Sequence, residues 1–144
     1  MFSPSRDQAR RLFFDTWTKY RAGVALEGLQ TTVAGVILLH PEYHRLLDDR
    51  DRNLERDFGP EQGVLNPFLH LSLHLAIEEQ LSIDQPPGIA LAYRNLAAKF
   101  GDEHDAKHAL LECLGETIWN AQRTGAALDG EAYLRCVYAR AGSR

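Results

Sequence analysis

Every histidine of this chain belongs to a pair whose members are four residues apart. On a helix, residues with this spacing lie on one face about one turn apart, so two such imidazoles can hold one metal ion. Random placement of six histidines in 144 residues predicts roughly 0.2 such pairs. Three pairs with no histidine left over therefore indicate a metal site. The pairs are His40 and His44, His70 and His74, and His104 and His108.

Two of the pairs continue into carboxylates at the same spacing. Glu78 follows His74 by four residues, and Glu112 and Glu116 continue the stripe that begins at His104. A stripe turns by about 40° every four residues, and eight residues span about 12 Å. One ion cannot contact a whole stripe, but two ions joined by a bridging carboxylate can share two stripes. We therefore predict these ligands: His70, His74, Glu78, His104, His108 and Glu112, with His44 and His40 as additional candidates from a third helix.

The predicted ligands favour a divalent transition metal, with zinc or iron first, as one or two ions. Imidazole is a ligand for zinc, iron, manganese and nickel rather than for magnesium or calcium. The pattern differs from the ferritin-like motif, since it contains no Glu-x-x-His, and from the zinc proteases, since no glutamate follows the first histidine of a pair. An ion with an open coordination position activates water or oxygen. The expected activity is then that of a metal-dependent hydrolase or oxidoreductase.

Two other functions are compatible with the same residues. A closed four-ligand shell would make the ion a structural zinc. Without any metal, the chain would be a protein-interaction module whose histidines are core groups bonded to Glu78, Glu112 and Glu116. His40 also has a second interpretation, because Pro41 follows it and proline is favoured in the first turn of a helix. His40 is then a capping residue before a short helix.

The segments that carry these residues predict an all-α fold, a single-domain bundle of five to six helices over residues 1–144. The alternating sequence of 69–75 also fits a strand. We favour a helix there because the apolar pattern continues without alternation through Ala76 and Ile77, and because Asn66-Pro67 is a strong helix start. Asp102 is expected to cap a helix, and Gly101 and Gly125 to end helices. The predicted helices cover about 5–22, 26–39, a short segment from 40, 67–83, 89–100, 102–123 and 130–140, with an exposed loop over 48–63.

The composition of the chain indicates which classes of partner we do not expect it to bind. The net charge of -4 is not the basic footprint of a nucleic-acid-binding protein. No apolar segment is long enough to span a bilayer, and residues 1–11 lack a signal peptide. We therefore expect a cytoplasmic protein that binds no nucleic acid and no membrane; a small-molecule substrate and a homo-oligomer stay open. In that compartment Cys113 and Cys136 would be reduced thiols, with Cys113 a buried apolar residue.

Several long motifs resemble an uncharacterised bacterial family, called domain of unknown function 1841. They cover most of the chain. The resemblance implies a bacterial, cytosolic protein, and it brings no activity, substrate or ligand set. The motifs that carry it are the stretch from Asn66 to Gly88, Gly101 to Asp105, His108, Glu112 to Glu116, the opening residues 2–11 and the segment His40-Pro41-Glu42-Tyr43-His44.

Overall fold

A computed structural model describes residues 6–56 and 67–142. Within these ranges the chain forms α-helices and one 3-10 turn, with no β-strand, which confirms the all-α prediction. The elements are α1 (Arg6–Arg21), α2 (Leu29–Leu38), a 3-10 turn (Pro41–Tyr43), α3 (His44–Asp48), α4 (Arg50–Asn53), α5 (Pro67–Ile83), α6 (Ile89–Phe100), α7 (Glu103–Thr124) and α8 (Gly130–Arg140).

The prediction of five to six helices was an undercount. The described part of the chain contains eight α-helices, and the additional ones are short. Asp49 accepts a hydrogen bond from the backbone N–H of Arg52 and so caps α4, which lies inside the segment predicted as an exposed loop. A four-residue helix has too few apolar positions to show a periodic pattern. The remainder of that loop, and Asn66, lie outside the described residues.

The chain divides into two compact units, Met1–Leu75 and Ala76–Arg144. The boundary falls within α5. The prediction of a single domain stays a prediction, and each unit is described by itself. None of the described helices combines the length and apolar character that a bilayer crossing requires.

In the first unit, α1 packs against α2 and α3. Aromatic side chains of α1 supply much of this core, and Phe14 contacts Phe68 with ring centroids 5.5 Å apart. The guanidinium of Arg10 lies over the ring of Phe68, 4.4 Å from its centroid. The buried core of this unit comprises Ala9, Phe13, Phe14, Trp17, Val33, Val36, Ile37, Leu47, Phe68, Leu71 and Leu75.

The start of α5 confirms the helix preferred over a strand. A strand would place residues 69, 71, 73 and 75 on one face. The structure instead buries Leu71, His74 and Leu75, which share a helical face, and leaves Leu69 51% exposed. The burial pattern therefore follows the helical period of 3.6 residues.

In the second unit, α6, α7 and α8 pack against one another. Asp102 caps α7 as predicted, because its carboxylate accepts from the backbone N–H groups of His104 and Asp105. Gly101 and Gly125 end α6 and α7 at φ of 69° and 71°, a left-handed conformation that favours glycine. Buried apolar residues of this unit include Ile77, Ile89, Ala92, Leu96, Ala106, Leu110, Leu114, Tyr133 and Val137.

The prediction of two reduced thiols was wrong. Cys113 on α7 and Cys136 on α8 form a disulfide, with their Cα atoms 5.7 Å apart. The prediction was drawn from the expected compartment, whereas the pairing follows from the packing of α7 against α8. The burial of Cys113 was predicted and is confirmed.

Candidate metal centre

Three histidines lie together in the first unit. One ring nitrogen from each of His40, His70 and His74 lies within 4.8 Å of the other two. His40 and His74 are fully buried and His70 is half-buried. The Nε2 atoms of His40 and His70 are 3.0 Å apart. The ring of His40 meets that of His74 edge-on, with centroids 5.0 Å apart. We call these three residues the histidine cluster.

The local sequence explains how the cluster forms. His70 and His74 are four residues apart on α5, so they share a face as predicted. His40 reaches them from a break between two helices. The helix α2 ends at Leu38, and Pro41 begins the 3-10 turn, so His40 has a non-helical backbone conformation with φ -127° and ψ 66°.

A backbone hydrogen bond fixes the proton of His40. Its Nδ1 lies 2.8 Å from the carbonyl oxygen of Val36. A carbonyl only accepts, so Nδ1 is the donor and a neutral His40 carries its lone pair on Nε2. That Nε2 faces His70. Metal-binding histidines commonly donate their other ring N–H to a backbone carbonyl, which fixes the tautomer and the ring orientation. His40 is therefore arranged as an Nε2 ligand.

The 3.0 Å separation of the two Nε2 atoms fits either of two chemical arrangements. In the first, His70 donates its Nε2–H to the lone pair of His40. In the second, both nitrogens bind one ion. Two ligands at zinc–nitrogen distances of 2.0–2.1 Å in tetrahedral geometry lie about 3.3 Å apart. The observed separation is within a few tenths of an ångström of that value, so an ion requires little movement of these two rings.

An aromatic ring borders the histidine cluster. Tyr43 stacks on His40 with ring centroids 5.7 Å apart, and it meets His70 edge-on at 6.0 Å. Burial, and secondly the charge of Glu42, raise the pKa of Tyr43 above its ordinary value of 10.0. Its hydroxyl is therefore neutral at physiological pH. Among the residues the structure describes, no aspartate, glutamate or cysteine belongs to this metal-ligand group.

The two members of the first histidine pair have different surroundings. His44 opens α3, and its Nε2 donates to the carbonyl of Ile37 across 2.8 Å. Its ring lies 4.4 Å from that of Trp17. His44 does not belong to the histidine cluster. The pair spacing therefore brings His40, but not its partner, to the metal-ligand group.

The third pair lies in the second unit, on α7. His104 and His108 are both half-buried, and their rings meet edge-on with centroids 4.3 Å apart, as expected for neighbours on one helical face. The predicted carboxylate ligands have cationic partners. Glu78 pairs with Lys107 across 2.6 Å, and the exposed Glu112 pairs with Arg140. The metal-binding roles of these residues stay predictions.

Sequence reasoning did not identify the partners of these carboxylates. Lys107 and Arg140 lie 29 and 28 residues from Glu78 and Glu112 along the chain. No local spacing connects residues so far apart, because their contact depends on how helices pack. The backbone partner of His40 could have been anticipated, since Val36 lies four residues before it at the end of a predicted helix.

The family resemblance is confirmed. The model of the family described as domain of unknown function (DUF1841) matches residues 5–139, and the chain belongs to this family. No curated protein and no solved structure matches the chain significantly. The function must therefore be argued from the residues of the site.

Proposed function

We propose that this DUF1841 protein binds a divalent transition-metal ion through His40, His70 and His74. The observation that carries the proposal is the convergence of three imidazole nitrogens within 4.8 Å in a largely buried setting. The hydrogen bond from His40 to Val36 supports it, since it turns a lone pair toward the other rings. Three imidazoles are a common protein ligand set for zinc in catalytic sites, where a fourth position is left for water.

Zinc or iron is the ion that we expect. An all-imidazole ligand set suits zinc, iron, copper and nickel, and it disfavours magnesium and calcium, which take oxygen ligands. If these three residues are the whole of the protein's ligand set, the ion has at least one further position, for water or for a substrate. The reaction class that follows is metal-assisted hydrolysis or oxygen chemistry. In this proposal the chain holds the ion, fixes the tautomer of His40 and excludes bulk water from the two fully buried ligands, His40 and His74.

The hydrogen bond between His40 and His70 favours a second candidate, a metal-free interaction module. At 3.0 Å the contact is a good hydrogen bond without any ion. The histidines would then stabilise the fold by themselves. The two candidates differ in one measurable respect, because only a metal site links the stability of the protein to the concentration of metal.

Unfolding in urea, with and without zinc, tests the proposal. For the wild-type protein, free zinc at a hundred times its Kd should raise the free energy of unfolding by about 2.7 kcal/mol, and a chelator should abolish the increase. His74→Gln should remove the zinc dependence, because it removes a cluster ligand. The matched control is His44→Gln, which alters a histidine of the same unit outside the cluster and should retain it.

The proposal fails if zinc leaves the wild-type stability unchanged, or if His74→Gln responds to zinc as strongly as the wild type does. The first outcome, together with equal destabilisation of the variants with and without chelator, would support the interaction module. The same measurement on His104→Gln, His108→Gln, Glu78→Gln and Glu112→Gln tests the ligand roles predicted for those residues.

A further inference from the structure

The disulfide of the second unit joins two cysteines that differ in burial. Cys113 on α7 has no exposed surface, whereas Cys136 on α8 is half-buried. Thiol–disulfide exchange begins when a thiolate attacks one of the two sulfurs, and access to that sulfur limits the rate. The side of Cys136 is therefore the one from which a thiol in solution approaches the bond.

Contacts other than the disulfide also hold α8 in the second unit. Tyr133 and Val137 have no exposed surface, and the hydroxyl of Tyr133 donates to Gln80 across 2.8 Å. At the end of the helix, Arg140 pairs with Glu112 on α7. Because these contacts do not involve the sulfurs, we expect α8 to stay in place when the disulfide opens. Exchange at this bond therefore does not require the protein to unfold.

From this difference in burial and from the separate anchoring of α8, we infer that Cys136 is a site of thiol exchange in the folded protein. Its reaction partners are low-molecular-weight thiols and their disulfides. Cys113 is the resolving thiol, which closes the bond again. The inference is independent of the proposed metal ion, because the disulfide lies in the second unit and the histidine cluster in the first.

The exchange takes place in two steps. In the first, a small-molecule thiolate attacks the sulfur of Cys136, the bond to Cys113 breaks, and its electron pair passes to the sulfur of Cys113, which takes up a proton. In the second, Cys113 loses that proton and attacks Cys136, which expels the small thiol. Alternatively, a second small thiolate attacks the sulfur of the first and releases Cys136 as a thiolate. This alternative oxidises two small thiols to their disulfide and reduces the protein pair to two thiols.

Two single-cysteine variants test the assignment, with oxidised glutathione as the probe and a chelator in every buffer. Cys113→Ala leaves Cys136 as the only thiol. In native buffer it should form one mixed disulfide per chain, measured by mass spectrometry, which persists because no resolving thiol is present. Cys136→Ala leaves the buried Cys113, which should react about tenfold more slowly or less. In denaturing urea the two variants should react at similar rates, since burial no longer distinguishes them.

A second measurement uses the wild-type protein and so does not depend on how the variants fold. Reduced glutathione in native buffer should open the disulfide while circular dichroism keeps the native helix signal. Alkylation at successive times, followed by mass spectrometry, gives the rate. Below the unfolding transition this rate should be nearly independent of urea, because the reaction takes place in the folded state.

Three results would overturn the inference. The first is a Cys136 that does not react in native Cys113→Ala, and the second is equal reactivity of the two variants in native buffer. The third is a wild-type reduction rate that rises with urea in parallel with the unfolded fraction, since the disulfide would then open only through unfolding. If either variant lacks the native helix signal, the wild-type measurement decides alone.

Discussion

Reduction of the Cys113–Cys136 disulfide should destabilise the protein substantially. The two cysteines are 23 residues apart, and a cross-link that closes a loop of this length lowers the entropy of the unfolded chain by an amount worth about 3.4 kcal/mol at 25 °C. The folded state should change little, because Tyr133 and Val137 of α8 are buried in the core of the second unit. Reduction therefore acts mainly on the unfolded chain.

Urea unfolding followed by circular dichroism measures this effect. Small proteins have urea m-values of about 1–3 kcal/mol/M, so reduction should lower the midpoint by about 1–3 M. Reduction of the wild type removes no atoms from the core, whereas a double Cys113→Ala and Cys136→Ala variant adds a small cavity at Cys113. That double variant is the control, since reductant should not change its midpoint.

Two results would refute this reasoning. The first is a midpoint that reductant leaves unchanged in the wild type. The second is a thiol titration in denaturant, without reductant, that finds two reactive thiols per chain, because the chain has only two cysteines and the structure pairs both.

Three further predictions concern the second unit. Tyr133→Phe removes a buried hydrogen bond of 2.8 Å to Gln80 and should lower the free energy of unfolding by about 1–3 kcal/mol; an unchanged urea midpoint would contradict this. Hydrogen bonds from the backbone N–H groups of Ala90 and then Gly88 lower the pKa of Asp84 below its ordinary value of 3.8. Asp84 therefore stabilises the fold above that pH and loses this effect as the pH falls through its lowered pKa. The thermal midpoints of wild type and Asp84→Asn should therefore differ at pH 7 and converge in acid, and a constant difference would oppose this assignment. Burial, and then nearby carboxylates, raise the pKa of Tyr93 to about 12, so stability should fall as the pH rises above 10, and Tyr93→Phe should reduce that fall; an absorbance titration of Tyr93 near pH 10 would count against it.

The sequence predicted most of the helices because their signals are local. Asp102 and Gly101 mark where α7 begins and α6 ends, and the structure confirms both. The choice of a helix for α5 was also correct, because the apolar pattern past Leu75 did not alternate. The short helix α4 was missed, since four residues carry no periodicity.

The candidate site was less predictable, because it depends on packing between distant segments. The spacing of His70 and His74 placed them on one face, but it could not show that His40 would meet them. The same spacing made both His40 and His44 candidate ligands. The helix break at Pro41 places the two side chains in different surroundings. A pair spacing therefore predicts which residues share a helix face, whereas the arrangement of the helices decides which faces converge.

The disulfide also bears on the location predicted from the sequence. Disulfides persist in oxidising compartments and are uncommon in the cytosol of mesophiles. The Cys113–Cys136 pair therefore weighs against the predicted cytoplasmic location, which stays a prediction. The number of alkyl groups per chain, measured by mass spectrometry on protein alkylated at cell lysis, would report the state of this pair in the cell.

Metal content is the measurement that tests the central claim most directly. Protein made without a histidine tag, incubated with zinc and then desalted, should retain about one zinc per chain in the wild type and in His44→Gln. The variants His40→Gln, His70→Gln and His74→Gln should each retain less than about 0.2 zinc per chain, since each loses one of the three ligands. A wild-type protein below about 0.2 zinc per chain, or cluster variants that retain as much zinc as the wild type, would contradict the account.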